Sequence, residues 1–120
     1  MTLGLLSALG TLGALGGCAT AAPPNEAMAV ATAAVNRASS GPTAAQAPIE
    51  LRRAVDKLAA ARVALSDGRN VEAQRLAEQA DVDAQVAEMQ AQRVRSVLAA
   101  QESDAAARAL REELQRKTGR

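Results

Sequence analysis

The sequence contains no histidine, tryptophan, tyrosine or phenylalanine, and it has a single cysteine. Histidine is the usual proton-transfer group near neutral pH and a principal zinc ligand, so its absence argues against a catalytic or metal site. A lone cysteine cannot form a disulfide within the chain. The near balance of 14 basic and 13 acidic residues argues against the surface of one charge sign that nucleic-acid binding needs. We therefore expect no enzyme activity, cofactor, metal or nucleic-acid partner.

What is abundant instead is alanine, together with Arg, Gln, Glu and Leu from residue 50 onward. These residues favour helices, and the β-branched residues never alternate over the length of a strand. Because alanine buries little apolar surface, a thick globular core is not expected. The predicted fold class is all-α, with a short helix followed by an antiparallel helical hairpin whose second helix is long and alanine-rich.

The N-terminal region has the composition of a secretion signal. Residues 1–22 carry no charged side chain, and the leucine-rich part, residues 3–15, has the length of a signal-peptide apolar region. The sequence Leu15-Gly16-Gly17-Cys18 follows and resembles the lipobox of bacterial lipoproteins. This resemblance implies that residues 1–17 are a signal peptide recognised through Leu15, Gly16 and Gly17. It also implies that Cys18 is the lipidation site, attached to membrane lipid.

An uncleaved transmembrane anchor is the competing interpretation, since about 20 apolar residues can span a bilayer. Four glycines before Gly17 make the segment a poor permanent helix, which favours the signal peptide. Signal peptides usually begin with basic residues, and their absence here leads us to expect a start codon further upstream. Ala19 stands where an aspartate would retain an enterobacterial lipoprotein in the inner membrane. The expected location is therefore the periplasmic leaflet of the outer membrane.

Proline and glycine divide the region after Cys18. Residues 18–25 contain Pro23-Pro24 and are predicted to be a lipidated tether. A first helix is expected over 26–39, a non-helical connector over 43–47, and a second helix from Pro48 to about Asp67. Gly68 is a natural helix stop, and Asn70 a natural N-cap for the next helix. The apolar stripe of the first helix comprises Met28, Ala31, Val35 and Ala38.

A third helix is predicted from Val71 to about Lys117, because this stretch contains no glycine or proline. Apolar residues at heptad spacing on the second and third helices predict that they pack as an antiparallel hairpin. Small alanines on the third helix would let the two backbones approach closely. The predicted packing seam comprises Leu51, Ala54, Leu58, Ala61 and Leu65 on the second helix, and Ala73, Ala77, Ala80, Ala84, Ala87, Ala91, Val94 and Leu98 on the third.

After Leu98 the seam loses its phase, and an apolar edge of Ala106, Leu110 and Leu114 remains. We therefore divide the chain after the tether into a three-helix domain, 26–98, and a helical extension, 99–120. The extension is expected to be solvent-exposed and to serve as a docking surface. Its expected ion pairs are Asp104/Arg108, Glu112/Arg116 and Glu113/Lys117.

Several segments resemble a known bacterial family, domain-of-unknown-function family 4398. The resemblance is carried by residues 47–51, by 54–58, by the Gly68 turn with 72–73 and 76–77, and by 83–87. Members are small helical envelope lipoproteins, and many continue into an OmpA-like peptidoglycan-binding domain. The resemblance implies an envelope location, with an OmpA-like or other envelope protein as the partner. Peptidoglycan binding is not carried over, since no residue here corresponds to that module.

Three functions remain to be weighed. A non-catalytic scaffold or adaptor fits the lipid anchor, the thin core and the long helix, and it is the function we favour. The alternative is a cell-wall tether like the major murein lipoprotein, which is linked to peptidoglycan through its terminal lysine. Here Lys117 is followed by three more residues, so the matching residue is missing. An enzyme would need a pocket with catalytic groups that this composition does not provide.

Overall fold

The computed structural model describes residues 21–119, and these form four helices with no strand among them. Helix α1 spans Asn25–Ser40, α2 spans Thr43–Gln46, α3 spans Pro48–Ser66, and α4 spans Asn70–Thr118. The predicted all-α class is confirmed. The 49 residues of α4 form one unbroken helix of about 73 Å.

The segment between α1 and α3 differs from its prediction. Residues 43–47 were expected to be a non-helical connector, but Thr43–Gln46 form the single turn α2. Pro42 has helical backbone angles, and its carbonyl oxygen accepts a hydrogen bond of 3.1 Å from the amide of Gln46. The fixed φ of proline therefore starts a helical turn in the segment that was predicted to be a connector. α3 begins at Pro48, as predicted.

The turn between α3 and α4 is a Schellman motif around Gly68, whose φ of 74° lies in the left-handed region. The amide of Arg69 donates to the carbonyl oxygen of Ala64 at 2.9 Å, and the amide of Gly68 donates to that of Leu65 at 3.0 Å. The expected N-cap was wrong, because Arg69 occupies that position and Asn70 is the first helical residue. The side-chain amide of Asn70 instead donates to the carbonyl oxygen of Ala21.

Helices α1 and α3 both pack on α4, with α1 parallel to it and α3 antiparallel. The parallel course of α1 follows from two contacts, Ala21 with Asn70 and Arg37 with Glu88. The core consists mostly of alanine, and none of its larger side chains is completely buried. The buried residues on α3 and α4 are Leu51, Ala54, Leu58, Ala61, Ala64, Ala73, Ala77, Ala80, Ala84, Ala87 and Ala91.

Three residues of the predicted seam are not buried in the core. Leu65 is only half-buried, and Ala64 takes the core position beside the Gly68 turn, where the helices are joined by three residues and a small side chain fits between them. Val94 is also half-buried, and Leu98 is 49% exposed. Val94 and Leu98 are not buried because the helices that cover α4 do not reach them. Antiparallel α3 starts at Pro48, and the contact of α2 with α4 lies near Arg95. The packing surface of α4 therefore ends before Leu98.

Candidate docking surface

Two ion pairs join the helices outside the alanine core. Nε of Arg37 on α1 lies 2.9 Å from Oε1 of Glu88, and Nζ of Lys57 on α3 lies 2.7 Å from Oδ2 of Asp83. Oδ2 of Asp83 is buried and has no hydrogen-bond partner of good geometry in the described residues, so the nearby ammonium compensates its charge electrostatically. Both pairs lie on the part of α4 that α1 and α3 cover. They join α1 and α3 to this part of α4.

Beyond that covered part, α4 continues with none of the other described helices packed against it. Every described side chain from Ser96 onward is exposed except those of Ala107 and Glu113, which are half-exposed. The segment from Leu98 to Thr118 is about 32 Å long. We call it the α4 extension. An isolated helix of this length is marginal in water, so a partner that covers one of its faces would stabilise it.

The side of α4 opposite its buried alanines carries a second heptad pattern, which runs from the covered part through the extension. We call it the outer stripe. It comprises Val82, Val86, Met89, Arg93, Ser96, Ala100, Ser103, Ala107, Leu110, Leu114 and Lys117.

The spacing in the outer stripe alternates between four and three residues, as in a coiled-coil helix. Its largest apolar members are well exposed, with Met89 at 64%, Leu110 at 62% and Leu114 at 55%. The predicted apolar edge contained Leu110 and Leu114 of this stripe, but it placed Ala106 where the 4-3 spacing has Ala107. The earlier part was missed because Arg93 and two serines interrupt its apolar character. The unbroken 4-3 spacing on the face opposite the alanines is the signal that could have revealed it.

Of the three ion pairs predicted on the extension, Glu113/Lys117 is confirmed and the other two do not form. Glu113 pairs with both Arg116, at 2.9 Å, and Lys117, at 3.9 Å. The expected pair Asp104/Arg108 does not form, nor does Glu112/Arg116, because Arg116 bonds to the carboxylate three residues before it instead. Within the part of the chain that the structure describes, Asp104 and Arg111 have no ion-pair partner.

A cleft of about 610 Å³ lies between the start of α1 and α4. The side chains that line it are mainly alanines, prolines, valines and the carboxylates of Glu26, Glu78 and Asp81. No group of three or more potential metal ligands occurs in residues 21–119. At the nearby turn, hydrogen bonds to Asp67 and Glu72 raise the pKa of Arg69 above its ordinary value. The lining of the cleft contains no serine, threonine, cysteine or lysine among the described residues.

The predicted lipidation site, Cys18, and its recognition residues Leu15, Gly16 and Gly17 lie outside the described residues. The first described residue, Ala21, lies beside Asn70 at the turn end of the hairpin. None of the described helices combines the length and apolar character needed to cross a membrane.

Residues 26–103 match the family described as "Domain of unknown function (DUF4398)". The match contains α1, α2 and α3 together with α4 as far as Ser103, and thus more than half of the chain. No curated protein and no solved structure shows significant similarity to the sequence. This chain belongs to the DUF4398 family.

Proposed function

We propose that this protein is a non-catalytic, lipid-anchored scaffold or adaptor of the bacterial envelope, at the periplasmic face of the outer membrane. The observation that carries the proposal is the outer stripe, which presents exposed apolar side chains at coiled-coil spacing along a helix that its own chain covers only in part. Such a face suits a partner helix, which would bury Met89, Leu110 and Leu114. The adaptor binds another envelope protein, for example an OmpA-like protein, through this stripe.

The lipid anchor is part of the proposal, and it rests on the lipobox pattern that ends at Cys18. The position of Ala21 supports an arrangement in which the anchor and the docking surface are separate. Cys18 is three residues before Ala21, so a lipid there attaches next to the turn end of the hairpin. The α4 extension starts about 42 Å from that end, at 1.5 Å per residue over residues 70–98. The α4 extension is thus distant from the point where the lipid attaches.

The composition supports a binding role rather than a catalytic one. The chain has no histidine, and its carboxylates are dispersed over helix surfaces or occupied in ion pairs. The structure also offers little core with which to shape a pocket, because alanine dominates the buried residues. A long helix with an exposed apolar stripe can instead bind by laying one face against another helix, without any enclosed cavity.

Site-specific photocrosslinking in intact cells tests the proposal. A photoreactive residue is placed at Val82 or Met89 of the full chain, and matched controls carry it at Gln101 and Arg62, which are exposed away from the outer stripe. We expect adducts with a distinct envelope protein from the two stripe positions and far weaker adducts from the controls. Equal adduct yields at all four positions, or none at any, would contradict the proposed docking surface.

A further inference from the structure

We propose that the α4 extension pairs antiparallel with the extension of a second copy of this chain, through the outer stripe. The inference rests on the proposed function in taking the outer stripe as a docking surface, and it names the occupant of its distal part. The stripe from Ala100 to Lys117 lies entirely on the extension, where α1 and α3 provide no cover. Two independent features, side-chain size and charge, select the second copy and its direction.

The sizes of the stripe residues are complementary in one antiparallel register. Setting Leu110 opposite Ala107 of the second copy also sets Leu114 opposite Ser103 of the second copy. Each exposed leucine then meets a small side chain, which lets the two backbones approach closely around it. In the same register Lys117 lies opposite Ala100 of the second copy, with its ammonium free to reach water. In this register residues 98–119 of one copy lie alongside residues 98–119 of the other. This overlap begins where the part of α4 covered by α1 and α3 ends.

The flanking charges select the same register. Asp104 directly follows Ser103 and Arg111 directly follows Leu110, so both side chains lie on the same side of the outer stripe. Antiparallel pairing brings that side of one helix against the same side of the other. Asp104 then faces Arg111 of the second copy, and Arg111 faces its Asp104, so two ion pairs form. Both side chains are exposed and have no ion-pair partner within the described residues.

Parallel pairing of the same stripe is disfavoured by its charged members. It would place Arg93 against Arg93 of the second copy and Lys117 against its Lys117, both at core positions of the coiled coil. It would also place Asp104 near Ala99 and Arg111 near Ala106, so no opposite charges would meet. The antiparallel arrangement puts the two hairpins at opposite ends of a shared rod, with the starts of α4 about 115 Å apart. Val82, Val86 and Met89 of each copy stay open to another partner.

Disulfide trapping tests the direction of pairing. Two versions of the full chain are made in detergent solution, both with Cys18→Ser, one with Ala100→Cys and the other with Lys117→Cys. We expect a disulfide-linked dimer when the two versions are mixed and mildly oxidised, and little when either is oxidised alone. In the antiparallel register, identical positions are about 25 Å apart along the axis. Efficient crosslinking of each version with itself would overturn the proposal in favour of parallel pairing, and no dimer in any sample would overturn it as well.

A charge exchange tests the ion pairs. Asp104→Arg or Arg111→Asp alone sets like charges together at two places, so each should weaken self-association by about tenfold. The double variant, and an equal mixture of the two single variants, should recover the original association. Glu102→Arg and Arg108→Asp, exposed away from the stripe, are the matched controls and should change little. Single variants without effect, or a double variant that is not restored, would contradict the proposal. Crosslinking of Met89 to another envelope protein would still support the proposed function in that case.

Discussion

The alanines at the centre of the hairpin are expected to be a tight packing surface, and enlarging two of them should destabilise the fold strongly. Ala80 and Ala84 are both completely buried on α4, between the faces of α1 and α3. Replacing each with leucine adds three carbon atoms where no space exists. Overpacking typically costs about 1–3 kcal/mol per site, so the double variant should lose about 2–6 kcal/mol. A domain of this size has a total stability of about 5–10 kcal/mol, so this loss is large.

Matched control variants carry the same chemical change at Ala59 and Ala60, which are exposed on α3. Alanine and leucine have similar helix propensities, so the controls should retain nearly the original stability. The assay is thermal unfolding of the full chain followed by circular dichroism at the helix band. A loss of 2 kcal/mol corresponds to roughly 10 °C in midpoint for a domain of this size. Equal midpoints for the two double variants would refute the packing argument.

Three further predictions concern the anchor, the turn and the inter-helix ion pair. Incorporation of a labelled fatty-acid analogue in cells should be lost in Cys18→Ser, and equal labelling of variant and original would disprove lipidation at Cys18. Gly68→Ala should lower the free energy of unfolding by about 1 kcal/mol, because the φ of 74° is unfavourable for alanine although space for its Cβ exists. Gly41→Ala should change the free energy of unfolding very little, because Gly41 has a φ of −106°. Denaturant titration compares the two variants. Asp83→Asn should lower the free energy of unfolding by about 0.5–1 kcal/mol, because it removes the charged partner of Lys57. Asp56→Asn, which breaks an exposed ion pair with Arg52, should lower it by less. A larger loss for Asp56→Asn in the same titration would contradict this ranking.

The features that sequence reasoning predicted well depend on local chemistry. Pro48 begins α3 because proline suits the first turn of a helix. Gly68 stops α3 because its backbone adopts a left-handed conformation. The length of α4 followed from a stretch without glycine or proline. These signals need only neighbouring residues. They therefore do not depend on how the helices are arranged in space.

The features that were missed depend on which helix covers which. Leu98 continues the heptad spacing of the alanines, but nothing in the spacing reveals that α2 and α3 cover α4 only as far as about Arg95. The outer stripe was hidden for a similar reason, since its exposed members become a continuous face only once the buried side of α4 is known. The ion pairs of the extension were partly wrong because Glu113 offers both Arg116 and Lys117 a partner at helical spacing, and local geometry decides between neighbouring carboxylates.

Amide hydrogen exchange of the full chain tests the central claim most directly. That claim is that the α4 extension receives no packing from helices α1 to α3 and becomes stable when a partner covers it. In dilute monomer, amides from Ala77 to Ala91 should be protected and those beyond Gln101 should exchange rapidly. Raising the protein concentration should slow exchange beyond Gln101, because a second copy then covers the extension. Protection beyond Gln101 in dilute monomer equal to that of Ala77 to Ala91 would contradict the account.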